Sequence, residues 1–381
     1  MGGVVGKSLK MMARPAAILA VLFLAATLPL GMGKFSVFLL AQTLVYAVAM
    51  FGLVVVVGLL GQPSLMHAEM MGVGAGVTAA LVQGYHWNFW AAGLAAVAVG
   101  YFTGVIVGLP ALRVRGLGLA IVTLAIAQTF DQLVLPSKFL QGHGGGRVIS
   151  RPSLGPISLA GDHAFFEVAL VVFVACLLLV LSIRRGKLGR MFKAIRESEK
   201  GAAASGVSLT RYKLLGFATS AGFAALAGVM SVGLTGSYTS APYDWLHSMV
   251  FLAMLSIMGA ATVSGAVVAA VVIIAVPQLL QQAKFLDQLT QFTSGLILIV
   301  QTIIAPQGAV PMVAAGFRAL VHRLHRAGPG STSDSPDTGD ARHGAAPTQV
   351  GGDASGCVTS SEIGEAEEPG GILVTSGRRR R

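Results

Sequence analysis

The stretch RRGKLGRMFKAIRESEKGAAASGVSLTRYK, residues 184–213, is a dense block of charge with an uncharged apolar run on either side. A short basic loop between membrane spans faces the cytoplasm under the positive-inside bias. Within it, residues 190–200 favour a helix, the small-residue stretch 201–205 follows, and Gly206 is placed to end that segment. This is the shape of a docking element held just outside a membrane.

The rest of the chain explains why such an element sits in a membrane protein. Of 381 residues, 54% are hydrophobic and 11% charged, with a mean hydropathy of +0.74. Those values exclude an ordinary soluble domain and point to a polytopic membrane protein. The net charge of +11 is uneven: residues 1–326 hold 22 basic and 8 acidic residues, whereas 327–381 hold 5 and 8. The positive charge therefore belongs to the membrane loops. Nucleic-acid binding would need a basic face with readers on a soluble fold, and the sequence offers no such domain. With only Cys176, in an apolar run, and Cys357, in a polar tail, neither a disulfide framework nor a thiolate metal site is expected.

Gaps between charges map the spans, because a charge at the centre of a lipid-facing helix costs about 2.5–3.5 kcal/mol on insertion scales. The charge-free stretches are 35–68, 70–112, 116–130, 168–183, 214–243, 245–283 and 288–317. The longest can each hold two spans of roughly 20 residues, or a span plus a re-entrant segment. Lys7, Lys10 and Arg14 followed by an apolar run have the charge order of a signal peptide. No small-residue cleavage site follows, and the run is read as a retained span. The expected fold is thus all-α and polytopic, with about ten transmembrane helices near 15–33, 36–60, 69–84, 88–109, 117–135, 164–183, 214–236, 246–261, 263–281 and 288–306.

Ten spans put Lys7/Lys10/Arg14, Arg113/Arg115, the 184–213 block and Arg318/Arg323/Arg326 on one side, with both termini cytoplasmic. Trp87, Trp90, Tyr238, Tyr243 and Trp245 then fall at the outer interface, as headgroup anchors or, alternatively, as ligand-binding rings. Gly72 and Gly76, then Gly100, Gly104 and Gly108, are spaced for close helix packing, although Gly is common in membrane helices. Three regions are expected: a basic N-terminus 1–14, a transmembrane domain 15–312 containing the 184–213 loop, and a largely disordered cytoplasmic tail 313–381 ending in Arg378–Arg381.

Enzyme signatures fail. Gly6-Lys7-Ser8 mimics the end of a phosphate-binding loop, but its first Gly position is Met1 and no strand precedes it. His67 and Glu69, and His143 and His163 beside Asp162, show no repeated metal-ligand spacing, and no Ser/His/Asp elbow is present. Glu69 and Asp131 lie in or at the edge of spans, where an ionisable group either lines a pathway or pairs internally.

Several segments now carry a resemblance. Gly58, Gly61-Gln62, Ser64-Leu65, His67-Ala68, Gly72 and Gly74-Ala75-Gly76 resemble the G-x-x-G-Q-x-S-L-x-H-A segment and following Gly-rich helix of LivM-type permeases, subunits of branched-chain amino-acid ABC importers. Leu112-Arg113-Val114-Arg115-Gly116 with Leu119-Ala120-Ile121-Val122-Thr123-Leu124 is similar to that family's L-R-L-R-G…A-I-V-T-L stretch, and residues 141–146 match its Gly-rich outer loop. Leu188-Gly189-Arg190, Ala194-Ile195-Arg196-Glu197, Ala202-Ala203-Ala204, Gly206, Thr210-Arg211-Tyr212-Lys213-Leu214 and Phe217 look like the family's ATPase-contacting loop. Pro306-Gln307-Gly308 resembles its closing Pro-x-Gly, so the likeness covers about 15–312. Where the family has paired glycines after the outer loop, this chain has Met258-Gly259-Ala260-Ala261; Pro63 and Lys200 also depart from it.

The resemblance implies an ABC importer permease fold in the inner or plasma membrane and transport of branched-chain amino acids. The chain itself would be no enzyme and bind no cofactor; ATP and Mg would be used by two cytoplasmic ATPase subunits. The other implied partners are a second related permease, forming a heterodimer, an extracytoplasmic solute-binding protein and membrane lipid. The docking residues would be Gly189, Arg190, Ala194, Arg196, Glu197, Ala202, Ala203 and Gly206, and the candidate translocation pathway Gln62, Ser64, His67, Glu69 and Asp131. Charge alone leaves open a basic helix resting on anionic lipid. The same transporter class carrying urea or short amides is the alternative, and an ion-coupled secondary transporter built on Glu69 or Asp131 a further one.

Overall fold

A computed structural model describes residues 33–282, except 115, 155–156 and 159–160. The expected spans at 15–33 and 288–306, the basic N-terminus and the tail lie outside the described residues. The chain divides into two units, Met1–Ala327 and Gly328–Arg381, and everything described belongs to the first.

The eight expected spans that fall within the described residues are all helical. Helix α1 is Lys34–Leu53 and runs on as a π-turn, Val54–Leu59. Next come α2 (His67–Tyr85), α3 (Phe89–Gly108) with a 3-10 turn at Pro110–Leu112, and α4 (Leu117–Thr129) with a π-turn at Phe130–Val134. A short α5 (Lys138–Gln141) precedes the long α6 (Asp162–Arg185), then α7 (Lys187–Glu197) and α8 (Glu199–Ala204). The series continues with α9 (Leu209–Thr235), α10 (Trp245–Met258) and α11 (Val263–Gln282). Four of these segments, Lys34–Leu59, Phe89–Leu112, Asp162–Arg185 and Leu209–Thr235, are long and apolar enough to cross a membrane alone. The all-α expectation has a small exception. β1 (Arg147–Val148) pairs antiparallel with β4 (Ser237–Tyr238), and β2 (Ser153–Leu154) with β3 (Ile157–Ser158).

Helix α9 is the hub, packed along α1, α2 and α3, while α6 and α11 cover α1. Small residues set the distances. A Cβ at Gly228 on α9 would lie 1.9 Å from Met71 O on α2, and one at Gly74 on α2 would lie 2.1 Å from Ala225 O on α9. Gly100 and Gly104 on α3 would meet Ala225 Cβ at 2.3 Å and Ala221 Cβ at 2.5 Å. These helices touch backbone to backbone, so the Gly spacing read from α3 is a packing device. The departure at Met258-Gly259-Ala260-Ala261 is also a contact: a Cβ at Gly58 would lie 2.1 Å from Ala260 O.

Three expectations change. Helix α9 starts at Leu209 rather than 214, because Arg211 and Lys213 extend it beyond the uncharged run and Lys213 finds buried partners. The helix expected across 190–200 breaks at Ser198, whose backbone is extended. Tyr238 and Tyr243 are not interfacial anchors. Both are buried and stacked at 6.0 Å, with Tyr238 donating to Leu135 O and Tyr243 to Ser231 Oγ. Buried hydroxyls with partners inside the protein are structural. Trp87 is exposed.

The Gly228 contact yields a test. Gly228→Leu should lower the stability of the detergent-solubilised chain by about 3 kcal/mol or more, because backbone rather than a movable side chain blocks the space. Gly33→Ala, with nothing within 4 Å of its Cβ, should change it by less than about 0.5 kcal/mol. Thermal unfolding followed by size-exclusion recovery measures both.

Candidate functional site

Helix α1 ends where α7 begins to matter. The chain leaves the π-turn after Leu59, and the carbonyl of Gly58 would lack an intrahelical donor, as the last carbonyls of a helix do. The guanidinium of Arg196, from the outer face of α7, donates to Gly58 O. The aliphatic stem of Arg196 lies over Gly61, whose φ of +73° and lack of Cβ permit the approach; a Cβ there would sit 2.7 Å from Arg196 Cγ. Lys213 does the same for α3: its Nζ donates to Ala111 O at 3.1 Å, in the turn that closes that helix. Cations at helix C-termini are favoured by the peptide dipoles as well as by the hydrogen bond.

The loop itself is built by glycines and alanines. Gly189 allows α7 to fold against the end of α6, since a Cβ there would meet Ile183 O at 2.4 Å and Arg184 O at 2.6 Å. Helix α7 then buries Gly189, Phe192 and Ile195 at three-residue spacing, with Phe192 edge-on to Tyr212, while Arg190, Lys193 and Glu197 stay exposed. Ala194 is half-buried. Ser198 caps α8, its Oγ accepting from the Gly201 N–H at 3.1 Å. Helix α8 ends in a Schellman turn, with Gly206 N–H to Ala203 O and Val207 N–H to Ala202 O, both 3.0 Å, and Gly206 at φ +80°. Ala202 faces inward, whereas Ala203, Ala204 and Gly206 are exposed.

The break at Ser198 opens a polar recess of about 390 Å³, lined by Gly61, Gln62 and Gly116 on one side and Ile195–Lys200 on the other. On its buried side Glu199 Oε1 lies 2.8 Å from Lys213 Nζ and accepts from Gln62 Nε2 at 3.4 Å. The amide oxygen of Gln62 is buried with no partner among the described residues. Glu199, Lys213 and Ala111 were not singled out as site residues from sequence. A lysine at the edge of an apolar run reads as an exposed flank; only its 1% exposure reveals the pair.

Residues 61–66 are not helical and run back among the helices. Two of their backbone donors are met by neighbouring helices, as irregular backbone inside a membrane protein requires. Gln62 N–H donates to Val56 O at 3.0 Å and Leu65 N–H to Thr123 Oγ1 at 3.2 Å. His67 Nε2–H donates to Ala49 O at 2.7 Å. Ala49 lies in α1 ten residues before its π-turn ends and Thr123 midway along α4, so α2 starts beside the interior of its neighbours rather than at their ends. There it meets the first turn of α10: Ser248 Oγ accepts from Ala68 N–H at 2.8 Å and donates to Glu69 Oε2 at 2.6 Å. Glu69 is fully buried and its Oε1 has no partner among the described residues.

The predicted pathway residues thus divide. Gln62, Ser64, His67 and Glu69 are buried on one segment, and the space beside Ser64 and His67 is only about 10 Å³. Asp131 lies in the π-turn after α4, partly exposed and near enough to Glu69 to feel its charge, and has no hydrogen bond or ion pair among the described residues. Asp162 pairs with Arg151 at 2.6 Å rather than with a histidine. No group of three His, Cys, Asp or Glu suited to a metal occurs among the described residues.

A family model described as the permease component of branched-chain amino acid transport systems matches residues 35–302. Two relatives are high-affinity branched-chain amino acid transport system permease proteins LivM, from Salmonella typhimurium and Escherichia coli. Each is 28% identical over 323 residues, covering 77% of this chain and 74% of the relative. No solved structure gives a significant match.

Ser248 holds two helix starts together, which fixes an expectation. Ser248→Ala leaves Ala68 N–H and Glu69 without their shared partner and should destabilise the purified chain by about 1–3 kcal/mol. Thr103→Val, which removes a hydroxyl bonded only to its own helix at Val99 O, should stay within about 0.5 kcal/mol in the same thermal unfolding assay.

Proposed function

The chain belongs to the permease family of branched-chain amino-acid transport systems, and from that premise we propose that it is the membrane-spanning subunit of an ATP-driven importer of branched-chain amino acids. Two cytoplasmic ATPase subunits power it, a second related permease completes the path, and an extracytoplasmic solute-binding protein delivers the solute. The basic end, with α7, α8 and the Arg113 turn, faces the cytoplasm, as the positive-inside bias favours.

The observation that carries this reading is the docking loop. Helices α7 and α8 turn one face inward and leave Arg190, Lys193, Glu197, Ala203, Ala204 and Gly206 outward. Small residues seat against a partner surface, and the flanking charges offer charge-assisted contacts around them. A helix resting on lipid would instead present its large apolar side chains to the membrane, yet Phe192 and Ile195 are buried in this chain's own bundle. Arg196 plays a different part from its neighbours: anchored on Gly58 O, it joins the loop to the segment at 61–69. Gln62, Ser64, His67 and Glu69 on that segment border the solute's route, where discontinuous helices meet inside a transporter.

The test is uptake of radiolabelled leucine by the complex of this chain with its ATPase, permease and solute-binding partners in liposomes. Uptake should need ATP and survive collapse of ion gradients; gradient-driven uptake without ATP would overturn the reading in favour of a secondary transporter. Competition by urea or short amides, with none by isoleucine or valine, would move the substrate. Arg196→Glu should cut leucine uptake about tenfold or more while ATP hydrolysis continues, because a charge-assisted hydrogen bond becomes a repulsion. Gly206→Val should cut it several-fold, since a β-branched residue at φ +80° costs about 1–2 kcal/mol and distorts the turn.

A further inference from the structure

We propose that the Glu199–Lys213 pair, fully buried at its lysine end and mostly buried at its carboxylate, is the strut that makes the loop and the membrane segment move together, so that both are positioning residues for ATP-coupled transport. The proposal rests on the importer reading above and adds the element that transmits its motion.

The pair joins four parts of the chain. Glu199 opens α8, Lys213 lies in the first turns of α9, Ala111 closes the turn after α3, and Gln62 lies near the start of the non-helical run to His67. Lys213 Nζ sits between Glu199 Oε1 at 2.8 Å and Ala111 O at 3.1 Å, and Gln62 Nε2 reaches the same carboxylate oxygen at 3.4 Å. Lys213 is 1% exposed. Helix α8 has little other hold on the bundle, since Ala202 alone among its six residues is buried.

Two ions removed from water gain little net stability over apolar packing, because desolvation offsets most of their attraction. What a buried pair supplies is a direction and a length, because its attraction is strong only at close contact with its hydrogen bonds satisfied. A displacement imposed on the exposed face of α8 is therefore passed through Glu199 to Gln62, to Ala111 and to α9. Without the charges, Ala202 can slide against its neighbours and the displacement is lost in the loop.

The experiment uses the same reconstituted complex and reads leucine imported per ATP hydrolysed, a ratio that a change in the amount of folded transporter does not alter. Glu199→Gln keeps the shape and removes the charge; the ratio should fall about tenfold, with hydrolysis and co-purification of the partners retained. Lys213→Met, which also frees Ala111 O, should fall further. An unchanged ratio in assembled Glu199→Gln transporter overturns the strut. Should that variant not assemble, Gln62→Leu removes one arm only and should lower the ratio about threefold; an unchanged ratio there overturns the proposal too. Failure of both variants to assemble assigns the pair to folding alone and overturns it as well. A wild-type complex whose uptake ignores ATP overturns the importer reading together with the strut.

Discussion

The architecture depends on how closely α9 approaches α2 and α3. Lipid tails are as apolar as the side chains of this bundle, so burial of apolar surface does not by itself draw membrane helices together. Contact between backbones does, through dispersion over a long seam, and it requires residues without bulk. Gly74 and Gly228 meet across α2 and α9, and Gly100 and Gly104 meet the Ala225 and Ala221 methyls across α3 and α9. With α9 seated between them, α1 packs on its flank, and α6 and α11 pack on α1.

At the basic end, the same residues that mark the side of the membrane also finish helices. Arg196 caps the π-turn of α1 through Gly58 O, and Lys213 caps the turn after α3 through Ala111 O. A helix that stops inside a protein must find donors for its last carbonyls, and here they come from the basic loop. Loop and bundle are therefore one hydrogen-bonded structure, although the loop's outer face is polar enough to stand in water.

Much of this was legible in the chain. Gaps between charges located eight helical segments, four of them long and apolar enough to cross a membrane, because an unpaired charge is expelled from lipid, and the Gly206 turn followed from the one residue type at ease at positive φ. The exceptions share a cause: a polar group with a partner inside the protein obeys different rules. Lys213 looks like the end of a span and is buried. Tyr238 and Tyr243 look like headgroup anchors and instead stack in the core. The break at Ser198 was hidden because its neighbours all favour helix, and the cap that Ser198 gives α8 overrides that preference. The start of α2 beside the interior of α1 escapes any charge map, because Gly61 to Met66 are uncharged and cross the same depth as a helix would.

That re-entrant run is where the two polar regions meet. From the basic end inward, Arg196 holds Gly58 and lies over Gly61, Glu199 holds Gln62, Thr123 holds Leu65, Ala49 holds His67, and Ser248 holds Ala68 and Glu69. Six residues between 58 and 69 thus carry bonds to α7, α8, α4, α1 and α10 in turn. The run has no regular structure of its own: Gly61 is at φ +73° and Gln62 N–H turns back to Val56 O, so its shape is held by these neighbours. It links Gly61 and Gln62, beside the basic loop, to Ala68 and Glu69, where the first turns of α2 and α10 share one serine hydroxyl. In the importer proposed above, this is the place where work done on an exposed loop would become a change in how α2 and α10 face each other.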